Sequence, residues 1–297
     1  MMTPFPDRIA ERMTATGSRV VVGIDPDLAR IRKVPEFSGC DAAAAYRGFC
    51  AAIVEATAPF ACAVKPQIAF FECLGPKGWE ALADVCAVAR ARGLPIILDA
   101  KRGDIGSTAR AYAELLSPDG PLRGVDAITV NPYLGGDSVE PFLAACDRHG
   151  TGVFVLVKTS NKGAADLQDL RLADGRRLCE AVADLVAEWG VGRVGGSGRS
   201  AVGAVVGATH PEDVAVLRER MPRAILLVPG VGAQGGDPAL LRPAFGADGL
   251  GAVVNSSRAI LYAWEEDERR DPSAYAEWAA AAASGLRSEL AEVISAG

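Results

Sequence analysis

The chain has 297 residues, 49% hydrophobic and 23% charged, with a formal net charge of -6. That is the balance of a soluble globular protein with a sizeable core and no need of disulfide staples. A modestly acidic chain without a long Lys/Arg block argues against a nucleic-acid partner, although a few local cations can still hold a small anion.

The N-terminal stretch "MMTPFPDRIAERM" lacks the continuous apolar core of a secretory leader. No run reaches the roughly 18 apolar residues of a membrane span. The seven cysteines form an odd set with no C-x-x-C pair, and most, such as Cys62, Cys86 and Cys179, sit in apolar surroundings. They read as reduced, buried small hydrophobes of a cytoplasmic protein. A zinc centre would want closer Cys/His spacing, and the only histidines, His149 and His210, read as surface or loop residues.

Along the chain one unit repeats: a short apolar run, a polar or glycine-bearing turn, then an Ala-rich amphipathic stretch. Strands are expected at 19–25, 61–67, 95–101, 125–131, 152–158, 201–208, 224–230 and 251–257. Helical patterns fall near 41–57, 77–93, 106–116, 138–149, 175–190, 211–220, 238–244 and 273–293. Continuous apolar strands suit a parallel sheet covered on both faces, and their alternation with helices implies βαβ units. Eight strands and about eight helices at this length predict one α/β domain over 1–297, a (β/α)8 barrel. An open doubly wound sheet would usually carry G-x-G-x-x-G after its first strand, where this chain has "GIDPDLAR". The loop 159–175 is long and polar and follows a strand, which makes it a lid candidate. The glycine-rich 191–200 precedes a strand, so it belongs to the opposite, stability-bearing end of a barrel.

In such a barrel the chemistry gathers at the C-terminal ends of the strands. The third strand runs into "LDAKRGDIGSTA", an apolar run that opens onto Asp99, Lys101, Arg102 and Asp104. Residues i and i+2 share a strand face, so with Leu98 toward the helices, Asp99 and Lys101 point into the barrel mouth. Lys65 lies at the same level of the second strand. An inward Lys in an apolar run is costly unless paired, and an alternating array Lys65–Asp99–Lys101–Asp104 would pair it. Asp104 could equally cap the following helix. Arg102 points the other way and reads as an ordinary solvated strand end. Across the mouth, "PGVGAQGGD" follows the seventh strand and "NSSRAI" the eighth. Loops at these two places commonly form this fold's phosphate site, where glycines let backbone N–H groups approach an anion, Arg258 adds a fork and Gln234 a neutral donor.

These residues resemble the orotidine 5'-phosphate decarboxylase family, in particular its branch with longer chains. "LDAKRGDIGSTA" is similar to that family's D-x-K-x-x-D-I signature at Asp99, Lys101, Asp104 and Ile105, and the likeness extends to Asp25, Lys65, "KTSN", "VPGVGAQGGD" and "NSSR". The resemblance implies conversion of orotidine 5'-monophosphate to UMP and CO2 by a homodimeric (β/α)8 barrel with no cofactor and no metal. It implies that Lys101 donates the proton and that Asp99 and Asp104 complete the charged array with Lys65. Asp104, Ile105 and Thr108 would reach into the other subunit's site. Asp25 and Lys65 would hold the ribose, Ser160 would read the pyrimidine edge, and Gln234 and Arg258, with Pro229 nearby, would bind phosphate.

Three other readings compete. Sugar-phosphate decarboxylases and synthases on the same barrel use Mg²⁺ and typically carry an acid where this chain has Lys65, a cation that would repel the metal. A Schiff-base aldolase wants an isolated Lys of depressed pKa, whereas Lys101 lies between carboxylates. A non-catalytic nucleotide-binding barrel predicts a gap in the charged array, and all four members are present.

Overall fold

The chain's structure is a computed structural model that describes residues 3–208, 211–230 and 236–295. Eight strands form the sheet: β1 (Val20–Ile24), β2 (Ala63–Pro66), β3 (Ile97–Arg102), β4 (Ala127–Val130), β5 (Gly152–Lys158), β6 (Ser200–Val206), β7 (Ala224–Pro229) and β8 (Ala252–Ser256). The α-helices are α1 (Phe5–Thr16), α2 (Leu28–Ile31), α3 (Ala42–Thr57), α4 (Ile68–Glu72), α5 (Pro76–Ala91), α6 (Gly106–Ala113), α7 (Gly136–His149), α8 (Ala165–Gln168), α9 (Leu178–Trp189), α10 (Pro211–Arg220), α11 (Arg258–Leu261) and α12 (Tyr275–Ser295).

All seven strand pairs are parallel, in the order β2-β1-β8-β7-β6-β5-β4-β3. Parallel bridges Val64 to Ile96 and Gln67 to Asp99 join the two ends, so the sheet closes into the expected (β/α)8 barrel. Alternation along each strand sorts the residues. Val20, Val22, Val64, Ile96 and Leu98 pack outward among the helices, while Val21, Ala63, Ile97, Ala127 and Val253 fill the barrel interior. The outward face of β3 therefore fixes Asp99 as an inward residue.

Two elements differ from expectation. The stretch 238–244 forms a 3-10 helix, Pro238–Ala244, because Pro243 removes an N–H that an α-helix would use. The N-terminal stretch, where no helix is expected, is a full helix, α1. Its apolar residues Phe5, Ile9 and Met13 recur every four positions and close the barrel floor. Phe5 stacks edge-on against Phe154 at 5.9 Å. A side chain at Gly152 would meet the Phe5 ring at 2.3 Å, so β5 must start with glycine for the plug to seat. The first turn of α1 is tied down by Asp7, which accepts backbone N–H bonds from Gly196 (3.0 Å) and Ser197 (2.8 Å) in the glycine-rich 191–200. That loop thus serves the floor, as its place before a strand implies.

All seven cysteines are free thiols, five of them buried. Burial pushes the thiols of Cys62, Cys86 and Cys146 up to about 12, so they stay neutral and pack as small hydrophobes. His149 ends α7; His210 lies outside the described residues. Among the described residues no helix is long and apolar enough to cross a membrane.

Candidate active site

The strand ends surround a cavity of about 580 Å³ at the C-terminal mouth, within the range of small-molecule sites. Its wall near β3 is ionic. Asp99 is 6% exposed and Lys65 4%. The Lys65 Nζ donates to Asp99 Oδ2 at 2.6 Å, and the Lys101 Nζ to Asp99 Oδ1 at 2.5 Å. One buried carboxylate is thus held between two ammonium groups.

The electrostatics follow from that clamp. Burial alone would raise the Asp99 pKa, but the Lys65 and Lys101 charges outweigh it and hold the carboxyl well below its ordinary range. Burial would likewise pull the Lys65 ammonium down; Asp99, with help from Asp25, reverses this and leaves its pKa raised. Both groups are locked in their charged forms around neutrality.

Backbone geometry aims the third member. Lys101 has a φ of 47°, a left-handed conformation that is uncommon for a residue with a side chain. It coincides with a break in the β3–β4 register between Leu98 and Arg102. Thr129, inward on β4, accepts the Ala100 and Lys101 N–H groups at 3.0 and 2.9 Å and donates its own hydroxyl to Asp99 Oδ1 at 3.0 Å. One hydroxyl therefore supports the irregular strand end and orients the carboxylate. The alternation Ala127, Thr129 was the signal that could have found it. Gln67, two residues after Lys65, lines the cavity by the same rule.

Asp25, Ser160, Pro229 and Arg258 also line this cavity. Asp25 Oδ1 is buried without a hydrogen-bond partner, as is Asn255 Oδ1 on β8. Two unpartnered acceptors on one wall suit a ligand with hydroxyl donors. Ser160 is the second residue of the long loop, of which Thr159, Asn161, Gly163, Ala164, Leu167 and Gln168 line the cavity too. Opposite, Arg258 starts α11 as an exposed residue beside Ser257 and Gly230. Gln234 lies outside the described residues.

Two expectations for the array need correction. Among the described residues of one copy of the chain it stops at three members: Asp104 does not line the cavity, and its Oδ1 accepts the neighbouring Ile105 N–H at 2.8 Å. Nor does Asp104 cap the helix. The N-cap position of α6 is Ile105, which makes no side-chain capping bond. Ile105 is 54% exposed and Thr108 is exposed. Arg102 is not the solvated strand end expected: its side chain is mostly buried, pairing with Glu72 and covering the Tyr112 ring at 5.2 Å, because the helices that flank the strand offer it an acid and an aromatic face.

Comparison with known proteins agrees with this geometry. Residues 18–269 match the orotidine 5'-phosphate decarboxylase / HUMPS family. An orotidine 5'-phosphate decarboxylase of Rhodopirellula baltica is 49% identical over 277 residues, 90% of this chain and 91% of that protein. One from Haloarcula marismortui is 48% identical over 94% of this chain and 95% of its own length. Among solved structures, an OMP decarboxylase of Leishmania donovani superposes with a TM-score of 0.74 at 39% identity, covering 96% of this chain and 99% of its own. On the barrel, the ionic wall and these likenesses together, the chain belongs to the orotidine 5'-phosphate decarboxylase / HUMPS family.

Proposed function

We propose that this chain converts orotidine 5'-monophosphate to UMP and CO2, the last step of de novo pyrimidine synthesis, in the cytoplasm and without metal or cofactor. One observation carries the reading: a buried carboxylate clamped between two ammonium groups on the wall of a nucleotide-sized cavity. Breaking the bond from C6 to the carboxylate leaves an electron pair on C6 with no adjacent carbonyl to absorb it. A fixed cation at that carbon stabilises the pair, and general acid catalysis then completes the step. Lys101 is the cation: half exposed toward the cavity, it faces C6, delivers its proton there and recovers one from solvent. Asp99, itself held by Lys65, keeps Lys101 in place.

The remaining cavity residues divide the nucleotide between them. Asp25 and Lys65 take the ribose hydroxyls, which give the unpartnered Asp25 oxygen its donor. Ser160 reads the pyrimidine edge. Arg258, beside Pro229 and with Gln234, grips the phosphate. That remote grip aligns the ring against Lys101. A magnesium-dependent sugar-phosphate activity is disfavoured by Lys65, whose ammonium occupies the position where those enzymes typically carry an acid.

The working unit is a homodimer of single-domain barrels. Ile105 and Thr108 are exposed and Asp104 half-buried after β3, and Tyr133 and Leu134 are exposed after β4. In the dimer, Asp104 of the partner subunit completes the charged array and Ile105 and Thr108 close the site. Adding orotidine 5'-monophosphate should produce an absorbance change unaffected by EDTA; no turnover would sink the reading. Lys101→Ala and Asp104→Ala chains, each nearly inactive, should regain activity when mixed, since one site in each mixed dimer has both residues intact. No recovery despite verified subunit exchange would refute the shared site.

A further inference from the structure

β5 ends in a second buried cation that the decarboxylation chemistry does not use. Lys158 is 1% exposed, and its ammonium pairs with Asp169 and lies 3.8 Å from Asp213. Arg177, at the start of α9, approaches the same two carboxylates, 2.6 Å from Asp213 and 3.5 Å from Asp169, and its Nε donates to Glu180 at 2.8 Å. Strand β5, the loop after it, α9 and α10 are therefore tied at one ionic knot.

The knot sits directly behind the cavity wall. Asp169 follows Leu167 and Gln168, both of which line the cavity. Gln168 in turn grips the other end of the loop, accepting the Thr159 N–H and donating to the Thr159 hydroxyl, each at 2.8 Å. Little apolar packing holds this segment. The four-residue α8 has no buried side chain, and Leu167 and Leu170 on either side of Asp169 are about half exposed. Apart from the buried Ala164, what fixes the wall is polar. A buried ion pair is often no more stabilising than an apolar replacement, but it demands one geometry. A demand for geometry suits a wall that must meet a substrate.

We propose that Asp169 is a positioning residue for the substrate: pinned by Lys158 and Arg177, it holds the wall 160–168 in the register that lets Ser160 and Gln168 face the nucleotide. The proposal rests on the decarboxylase reading. The test compares wild type, Asp169→Asn, Lys158→Met and the double variant. Asp169 is partly exposed, so its amide variant should fold; Lys158→Met keeps the side chain's bulk and removes the charge from the other side. KM for orotidine 5'-monophosphate should rise about tenfold in each single variant and no further in the double, with kcat changed by less than about threefold. Amide hydrogen exchange over 160–168 should quicken in the same variants while the strand amides stay protected. Wild-type KM in both single variants overturns the proposal. So does faster exchange without a change in KM, which would make the knot structural only, and so does a KM effect without faster exchange. Absence of wild-type turnover would sink the decarboxylase reading instead, and the exchange comparison would still decide whether Asp169 holds the wall.

Discussion

The two ends of the barrel solve opposite problems with the same strands. At the floor, β5 begins with Gly152 so that Phe5 can seat, and the interior is apolar from Val21 to Val253. At the mouth, β2 and β3 end in Lys65, Asp99 and Lys101, which are buried or half buried and face one another. Charge at the floor, such as Asp7 on its two backbone amides, stays at the periphery and fastens one element to another. Charge at the mouth points inward, and Asp99 and Lys65 are kept ionised by their neighbours. The contrast teaches that a buried strand end full of charge is informative only when alternation turns that charge inward, as it does for Asp99 and not for Arg102.

The contrast breaks hardest at Lys101. Lys101→Ala should lower turnover of orotidine 5'-monophosphate by about 10⁴-fold or more, since it removes both the proton donor and the cation at the reacting carbon. Its side chain is 45% exposed, so the melting temperature should hardly move. Asp99→Asn should do both kinds of damage. It strands the buried Lys65 ammonium without a counter-charge, which costs about 3–5 kcal/mol, and it loosens Lys101. Because the folded-state pKa of Asp99 lies below its ordinary value, its contribution is present above the ordinary carboxylate range and is lost as pH falls through the depressed value. The stability gap between wild type and Asp99→Asn, read by denaturant titration, should therefore be level near neutrality and narrow in strong acid. A gap that widened in acid would contradict the clamp. Phe5→Ala should cost about 3 kcal/mol by emptying the plug beneath Phe154, yet leave KM and kcat near wild type. A large kinetic effect would mean that floor and mouth are not separable.

The sequence made the barrel legible because parallel strands carry continuous apolar runs and the turns between them are short. It made Lys65 and Asp99 legible because alternation decides which way a regular strand residue points, and it placed Lys101 beside them although an irregular strand end aims that side chain. What it hid depends on local geometry. The left-handed Lys101 and the register break beside it carry no residue signature, since neither glycine nor proline marks them. Thr129 was hidden for another reason: a single hydroxyl in an apolar strand looks like a tolerated β-branched residue until its partners are known. The ionic knot at Lys158 joins residues up to 55 positions apart, from Lys158 to Asp213, and nothing local announces it. The plug α1, by contrast, was readable in the spacing of Phe5, Ile9 and Met13.

The smallest expected effect sharpens the comparison most cleanly, because it sets a floor carboxylate against the one at the mouth. Asp7 and Asp99 both have lowered pKa values, but for different reasons. Partial burial opposes ionisation at Asp7, and the hydrogen bonds from Ser197 and Gly196 outweigh it, with no cation involved. Asp7→Asn should therefore cost about 1 kcal/mol at neutral pH, less than a buried carboxylate because water reaches the site. The sign follows the same rule as for Asp99: the contribution is present above the ordinary carboxylate range and fades as pH falls through the lowered value. Wild type and Asp7→Asn should thus converge in denaturant midpoint in acid, while their turnover at neutral pH stays equal. Loss of turnover in Asp7→Asn, with the barrel still folded, would mean that the N-terminal helix speaks to the chemistry across the whole length of the strands.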